Sequence, residues 1–278
     1  MGNIMRTRVH RFPSLNGRVI LITGGARGLG REMALALAEQ GAKLAIGGSR
    51  PSAELDETVA EIRVMVGHAQ AVGMVVDVTD FQACRSSVEA VERALGPIDV
   101  LVNNAALGML AVNVSYTTET TRFWTIDPAG WRKIVDANVN GTFHMSRAVV
   151  PGMVSRRFGK VINISTSNST INRKGYTPYG PSKAAIESMS RAWAAELAGT
   201  GVDVNCYLPG GASQTAILPP GTTGSDGNLF PAEIMRRGIG WLCADESNGI
   251  TGERYVARLW DETLSSDEAA RKAMDMHY

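Results

Sequence analysis

An alternation governs what this chain can fold into. Short β-branched or aliphatic runs, RVILITGG (18–25), AKLAIGG (42–48), AVGMVVDVTD (71–80), IDVLVNNAA (98–106), KVINIST (160–166), VDVNCYLPGG (202–211) and RYVARLW (254–260), are separated by longer amphipathic stretches. Runs that are apolar on both faces belong to a parallel sheet covered on both sides, and parallel neighbours need the crossover connection that a helix supplies. The pattern predicts a doubly wound α/β fold, a parallel sheet of about seven strands with helices on both faces. Helices are expected over 30–41, 52–70, 80–95, 128–158, 181–199 and 231–244.

No repeat, low-complexity tract or Pro/Gly-rich linker divides the chain, so an N-terminal extension (1–15) and one domain (16–278) are expected. Two irregular stretches, at about 107–126 and 212–230, follow the carboxyl ends of the fourth and sixth strands. Open α/β sheets bind their ligands there, so both are expected to form substrate walls or lids. The formal net charge of +1 supplies no broad basic field, which argues against nucleic acid or an anionic membrane surface as partner. Small molecules recognised locally fit better. The three cysteines, Cys84, Cys206 and Cys243, are far apart and lack metal-ligand spacing; buried thiols are expected, and no metal. The start of the chain has no apolar run like a secretory signal, Arg6 stands where a myristoylation motif wants Ser or Thr, and no segment is apolar for long enough to span a bilayer. A cytoplasmic protein is expected.

Between the first strand and the first helix lies TGGARGLG, Thr23 to Gly30. An ordinary strand-to-helix turn reads this way too. Glycines at 24, 28 and 30, however, let the backbone turn tightly and approach a pyrophosphate whose charge rests on a helix N-terminus. A second constellation, YGPSK, places Tyr179 and Lys183 four residues apart, on one face of a helix whose first turn Pro181 suits. Taken alone, the two are as well read as an exposed helix pair.

The T-G-x-x-x-G-x-G spacing at 23–30, N-N-A at 103–105, Y-x-x-x-K at 179–183 and P-G at 209–210 together resemble the short-chain dehydrogenase/reductase family over roughly residues 16 to 260. The resemblance implies a Rossmann-like fold that binds a nicotinamide cofactor and transfers a hydride between it and a carbonyl or secondary alcohol. It implies cofactor contacts from Thr23, Gly24, Arg27, Gly28, Leu29 and Gly30 in the turn. Asp77 and Val78 would flank the adenine, and Asn104 and Ala105 would lie along the cofactor. Pro209 and Gly210 would pass close to the nicotinamide, and Thr215 would bond its carboxamide or the phosphate, although the family's threonine usually comes one residue sooner.

Where an NAD-preferring site carries an acid for the ribose hydroxyls, this chain has Gly48, followed by Ser49 and Arg50. With no carboxylate there, and with Arg27 and Arg50 able to pair with a 2′-phosphate, NADP(H) is expected in preference to NAD(H).

Reduction of a ketone puts negative charge on oxygen, so it needs a proton donor and a steadying dipole. Tyr179 supplies the proton. Bringing its phenol from about 10 to about 7 requires roughly 4 kcal/mol at ~1.36 per unit. One cation about 4 Å away, at an effective dielectric of about 20, provides approximately that, and Lys183 is expected to do so. By resemblance Lys183 also holds the nicotinamide ribose, and Asn138, rather than Asn140, completes a water-linked proton relay. The family's carbonyl-holding serine falls on Thr166, thirteen residues before Tyr179, with Ser165 and Ser167 as neighbouring stand-ins. Threonine keeps the donor but narrows the pocket.

The segment between Asn104 and Asn138 is longer than the resemblance leads one to expect. It carries Met109, Tyr116, Phe123 and Trp124, which with Tyr176 and the loop from Ile217 to Phe230 would line an apolar pocket, or equally a subunit interface. A homodimer or homotetramer built on the helices near Pro128 and Pro181 is implied by analogy, with a helical C-terminal tail capping a neighbouring subunit. Two other readings stay open: a cofactor-binding regulator without turnover, and a lyase or epimerase on the same fold.

Overall fold

The computed structural model describes residues 10–215, 217–219, 221, 222 and 229–275. Seven strands form one parallel sheet in the order β3-β2-β1-β4-β5-β6-β7, comprising β1 Val19–Ile22, β2 Lys43–Gly48, β3 Ala71–Val75, β4 Val100–Asn103, β5 Gly159–Ile164, β6 Val202–Leu208 and β7 Arg254–Val256. The helices are α1 Gly28–Ala38, α2 Ala53–Val66, α3 Phe81–Leu95, α4 Pro128–Val135, α5 Gly141–Arg156, α6 Asn168–Ile171, α7 Tyr179–Glu196, α8 Ile239–Cys243 and α9 Ser266–Ala273. The predicted doubly wound, Rossmann-like architecture is the one observed.

Alternate residues of a strand face opposite sides, and β1 divides accordingly. Ile20 and Ile22 enter a core built with α1, α2, α8 and α9, while Val19 and Leu21 enter a second core with α3 and α5. All of β1, β4, β5, β6 and β7 is buried, which is why these runs are predominantly apolar, with a few buried polar residues such as Lys160 and Arg254 among them. Phe12 and Leu15, from the stretch expected as an extension, are buried in the first core. The three cysteines are buried and none is in a disulfide. Among the described residues no helix is long and apolar enough to cross a membrane.

Element bounds depart from the sequence pattern at several places. The expected 52–70 helix stops at Gly67 (φ 95°), and His68–Gln70 form a separate 3-10 turn. The expected 128–158 helix is interrupted by a π turn at Asp136–Asn140 and ends at Arg156, with Arg157 left-handed at φ 57°. The helix expected from 181 begins at Tyr179, so Pro181 occupies its third position, still within the turn whose amide hydrogens lack helical acceptors. The expected 231–244 helix splits into a 3-10 turn, Ala232–Arg236, and α8. Gly238 (φ 75°) separates them, and a Cβ there would lie 2.6 Å from Trp260. Strand β7 gives way to 3-10 turn Ala257–Leu259.

The C-terminal tail is helical as expected, and a capping box at Ser265 and Glu268 starts it. It packs against its own chain. Ala269, Ala270 and Ala273 are buried in the first core, and Met274 makes an antiparallel bridge to Tyr255.

Candidate active site

The segments that follow β1 through β6 line one cavity of about 880 Å³, so the sheet brings residues distant in sequence to one rim. The glycine turn forms its floor. Thr23 is buried, and its Oγ1 accepts hydrogen bonds from the Asn104 and Ala105 amides, both at 3.0 Å. Asn104 Nδ2 donates back to Thr23 O (3.0 Å) and Gly24 O (2.8 Å). The turn after β1 is thereby tied to the end of β4. Gly24 (φ 62°) and Gly28 (φ 56°) adopt left-handed conformations, which glycine enters without penalty. A Cβ on Gly30 would lie 2.4 Å from Gly24 O. No side chain caps the start of α1, so its first amides and dipole face the cavity beside Gly24, Arg27, Gly28 and Leu29.

This cradle fits a dinucleotide: it is open backbone where any side chain would intrude, and it lies between two ends of distinct chemistry. At one end are Ser49, Arg50, Asp77 and Val78. Arg27 reaches Glu54 there at 3.7 Å, both being about half exposed. Glu54, absent from the sequence reading, caught no attention because an acid in a helix's first turn ordinarily serves the dipole. At the other end are Thr166, Tyr179, Lys183, Pro209 and Thr215. Gly30, Gly210 and Asn138 do not line the cavity, nor does a cluster of metal-ligating side chains occur among the described residues.

Tyr179 and Lys183 open α7 on one face, with Lys183 Nζ 6.0 Å from the phenol ring centroid. The hydroxyl that favours ionisation of the Tyr179 phenol is that of Thr166, on the same cavity wall. Ser165 is turned inward, donating to Glu187 Oε1 at 2.5 Å, and Ser167 pairs with Ser169 and Thr170. Neither neighbouring serine takes the place of Thr166. The electrostatics differ from the expected lowering of the phenol. Burial pushes Tyr179 up to about 12, opposed by the Thr166 hydroxyl. Burial also brings Lys183 down to about 8, opposed by Cys206 and Glu187. The ammonium donates instead to Ile164 O at 2.7 Å, away from the phenol oxygen, so desolvation wins over Coulomb attraction.

Asn138 sits in the π turn, fully buried. Its side chain accepts from the Leu107 amide (2.7 Å) and donates to Leu107 O (3.0 Å) and Ser182 Oγ (2.9 Å). It therefore links the loop after β4 to the first turn of α7. Asn140 bonds only to Asp136 on the exposed face, in keeping with the choice between the two.

Of the long 107–126 segment, Met109 and Tyr116 are buried on the cavity wall. Tyr116 meets Tyr176 edge-on, with centroids 5.6 Å apart, and Arg173 lies 4.5 Å above the Tyr176 ring. Phe123 and Trp124 stack edge-on against each other, each 67% exposed and off the cavity wall. From the second expected loop, Ser213, Ile217 and Leu218 reach the wall; Ala216, Pro220 and 223–228 lie outside the described residues. Two further residues escaped the sequence reading: Glu187, one turn beyond Lys183 on α7, and Arg254 in β7, a buried ion pair at 2.8 Å. Helical period from Tyr179 could have found Glu187, whereas nothing in RYVARLW marks its first arginine as buried.

Comparison with known proteins adds the following. The family model described as short chain dehydrogenase matches residues 18–223. A 3-oxoacyl-[acyl-carrier-protein] reductase of Thermotoga maritima is 33% identical over 253 residues, covering 86% of this chain and 95% of the relative. An acetoacetyl-CoA reductase of Shinella zoogloeoides is 32% identical, with 86% and 96% covered. Among solved structures, a 3-ketoacyl-(acyl-carrier-protein) reductase from Brucella melitensis complexed with NADH superimposes with a TM-score of 0.75 at 26% identity, covering 87% of this chain and 96% of that one.

Proposed function

The chain belongs to the short chain dehydrogenase family, an oxidoreductase that binds NAD(P), and from that premise we propose that it reduces the ketone of a 3-oxoacyl thioester with NADPH. The observation that carries the catalytic part is the placement of Thr166, Tyr179 and Lys183 together on the wall of the glycine-floored cavity, Lys183 one helical turn from Tyr179. The substrate class is supported by two relatives above 30% identity whose names are reductases of 3-oxoacyl and acetoacetyl thioesters.

When bound, the cofactor supplies a hydride. The chain's own residues do the rest. Thr166 Oγ1 donates to the ketone oxygen and fixes the face presented for reduction. Tyr179, protonated at neutral pH because burial raises it to about 12, gives its proton to the alkoxide as charge develops there. Lys183, charged below about 8, supplies a cation that steadies the phenolate left behind and would hold the nicotinamide ribose. Asn138 sets the spacing between the loop after β4 and α7 on which this geometry depends. Tyr116, Tyr176 and Met109 shield the reacting carbon from water.

NADPH over NADH is supported by Gly48 at the end of β2 and by Ser49, Arg50 and Arg27 at the adenosine end. The exposed Arg27–Glu54 pair is loose enough to exchange for a phosphate. Reduction of acetoacetyl-CoA, followed by loss of nicotinamide absorbance with each cofactor, tests both parts. Turnover with a lower KM for NADPH is expected. Turnover of simple ketones but not of the thioester would refute the substrate class, and tight cofactor binding with no turnover of any ketone would favour a regulator. Assembly as a homodimer or homotetramer is supported by Trp131 of α4 and Phe143 and Val154 of α5, apolar side chains left exposed on adjoining helices; light scattering reads it directly.

A further inference from the structure

Three consecutive residues where β5 meets the cavity are each held by a different side chain. Lys183 Nζ donates to Ile164 O at 2.7 Å, Ser165 Oγ donates to Glu187 Oε1 at 2.5 Å, and Arg254 Nη2 donates to Thr166 O at 2.8 Å. The sheet does not reach the last of these. Strand pairing along β5 ends with the Ser165 amide on Tyr207 O, so the Thr166 carbonyl depends on a side chain from β7. Arg254 is 1% exposed, in a strand otherwise built of apolar contacts. Burying a guanidinium is costly unless every edge of it is met.

Here the edges are met by groups from three elements. Nε donates to Glu187 Oε1 at 2.8 Å, Nη2 to Thr166 O, and Nη1 to the carboxylate of Asp275 beyond α9. The Asp275 amide donates back to Arg254 O at 2.8 Å. Because the guanidinium is planar and its donors are fixed in a fork, acceptors on three sides determine its orientation. The peptide plane of Thr166 follows, and with it the direction of its hydroxyl.

We propose that Arg254 is a positioning residue which, oriented by Asp275 from the C-terminal segment, sets the aim of the Thr166 hydroxyl. This rests on the reading of Thr166 as the group that holds the substrate carbonyl. A double-mutant cycle separates positioning from a merely structural role. For acetoacetyl-CoA reduction with NADPH, Asp275→Asn, at a side chain 21% exposed, lowers kcat about tenfold, the loss expected of one charge-assisted hydrogen bond. In a Thr166→Ala background the same substitution causes no further loss, because no hydroxyl remains to be aimed. Arg254→Lys, which retains the charge but not the fork, behaves alike, Asp275→Glu restores most of the rate, and NADPH affinity is unchanged throughout.

A second readout needs no substrate. Amide hydrogen exchange at Thr166 and Ser167 quickens in Asp275→Asn. An equal loss in both backgrounds, an unaltered kcat, or unaltered exchange would each overturn the proposal. Should Thr166→Ala run at the wild-type rate, the reading of Thr166 fails and takes the inference with it; a slow Thr166→Ala with additive losses defeats the inference alone.

Discussion

Tyr179 and Lys183 illustrate what spacing alone determines. Four residues on a helix put both side chains on one face, and that much was legible from YGPSK. Where the ammonium points was not, because its acceptor, Ile164 O, belongs to a strand nineteen positions earlier. Thr166 was chosen over its serine neighbours by register, and Ser165 turns inward to an unforeseen Glu187. Asn138 was legible as important, while its actual partners on Leu107 are main-chain atoms with no sequence signature. We predict that Tyr179→Phe lowers kcat by about 10²–10⁴, the usual worth of a general acid, with NADPH affinity retained in a fluorescence titration. Thr166→Ala should cost about 10²–10³ and Thr166→Ser very little, with Ser167→Ala neutral; steady-state kinetics of the three read this out. The pH dependence follows from Lys183. Its folded pKa, lowered to about 8, leaves it charged at neutrality and neutral above, so kcat for reduction falls as pH rises through about 8, well below the titration of the phenol. The same lowering makes its charged form the less stable in the fold, so the contribution of Lys183 to stability is full above the ordinary lysine range and lost as pH falls through about 8. A rate profile flat to pH 10 would contradict the assignment.

At the scale of elements, the strands were read correctly because each is a short run of mainly apolar residues, whereas helix ends depended on contacts that period cannot encode. The 128–158 pattern gives no hint of the π turn at Asp136–Asn140; that insertion is stabilised where Asn138 bonds across to Leu107 and Ser182, and such bulges recur at functional sites. The 231–244 pattern is likewise helical, but Trp260 packs onto Gly238 and fixes the break. The glycine turn was legible in full, since its chemistry is absence of side chains. Gly30→Ala tests it: a Cβ 2.4 Å from Gly24 O and 2.5 Å from Asn104 Nδ2 must displace the clamp between β1 and β4. NADPH binding is expected to weaken at least about tenfold, in line with the loss of one or two backbone contacts to a phosphate, while the circular dichroism spectrum stays that of the parent.

Across the whole molecule, both cores share the same strands, with Ile20 and Val19 adjacent in sequence yet on opposite sides. One cooperative unfolding transition is therefore expected, the same by fluorescence and by circular dichroism. Ile162, fully buried in the interior strand β5, should cost about 2–5 kcal/mol when replaced by Ala, measured by urea titration. The sequence pattern foretold the sheet, but not that the last helix would fold back on its own core. Its position has a consequence for life in a crowded solution. Strand β7 is the sheet's outermost on that side, and an open row of strand amides and carbonyls is a template for a strand from another molecule. The bridge between Tyr255 and Met274, with the Asp275 amide on Arg254 O, occupies that row from within the same chain. The tail thus denies the outer margin of the sheet to self-association into fibrous stacks, a guard that is built in before any partner arrives.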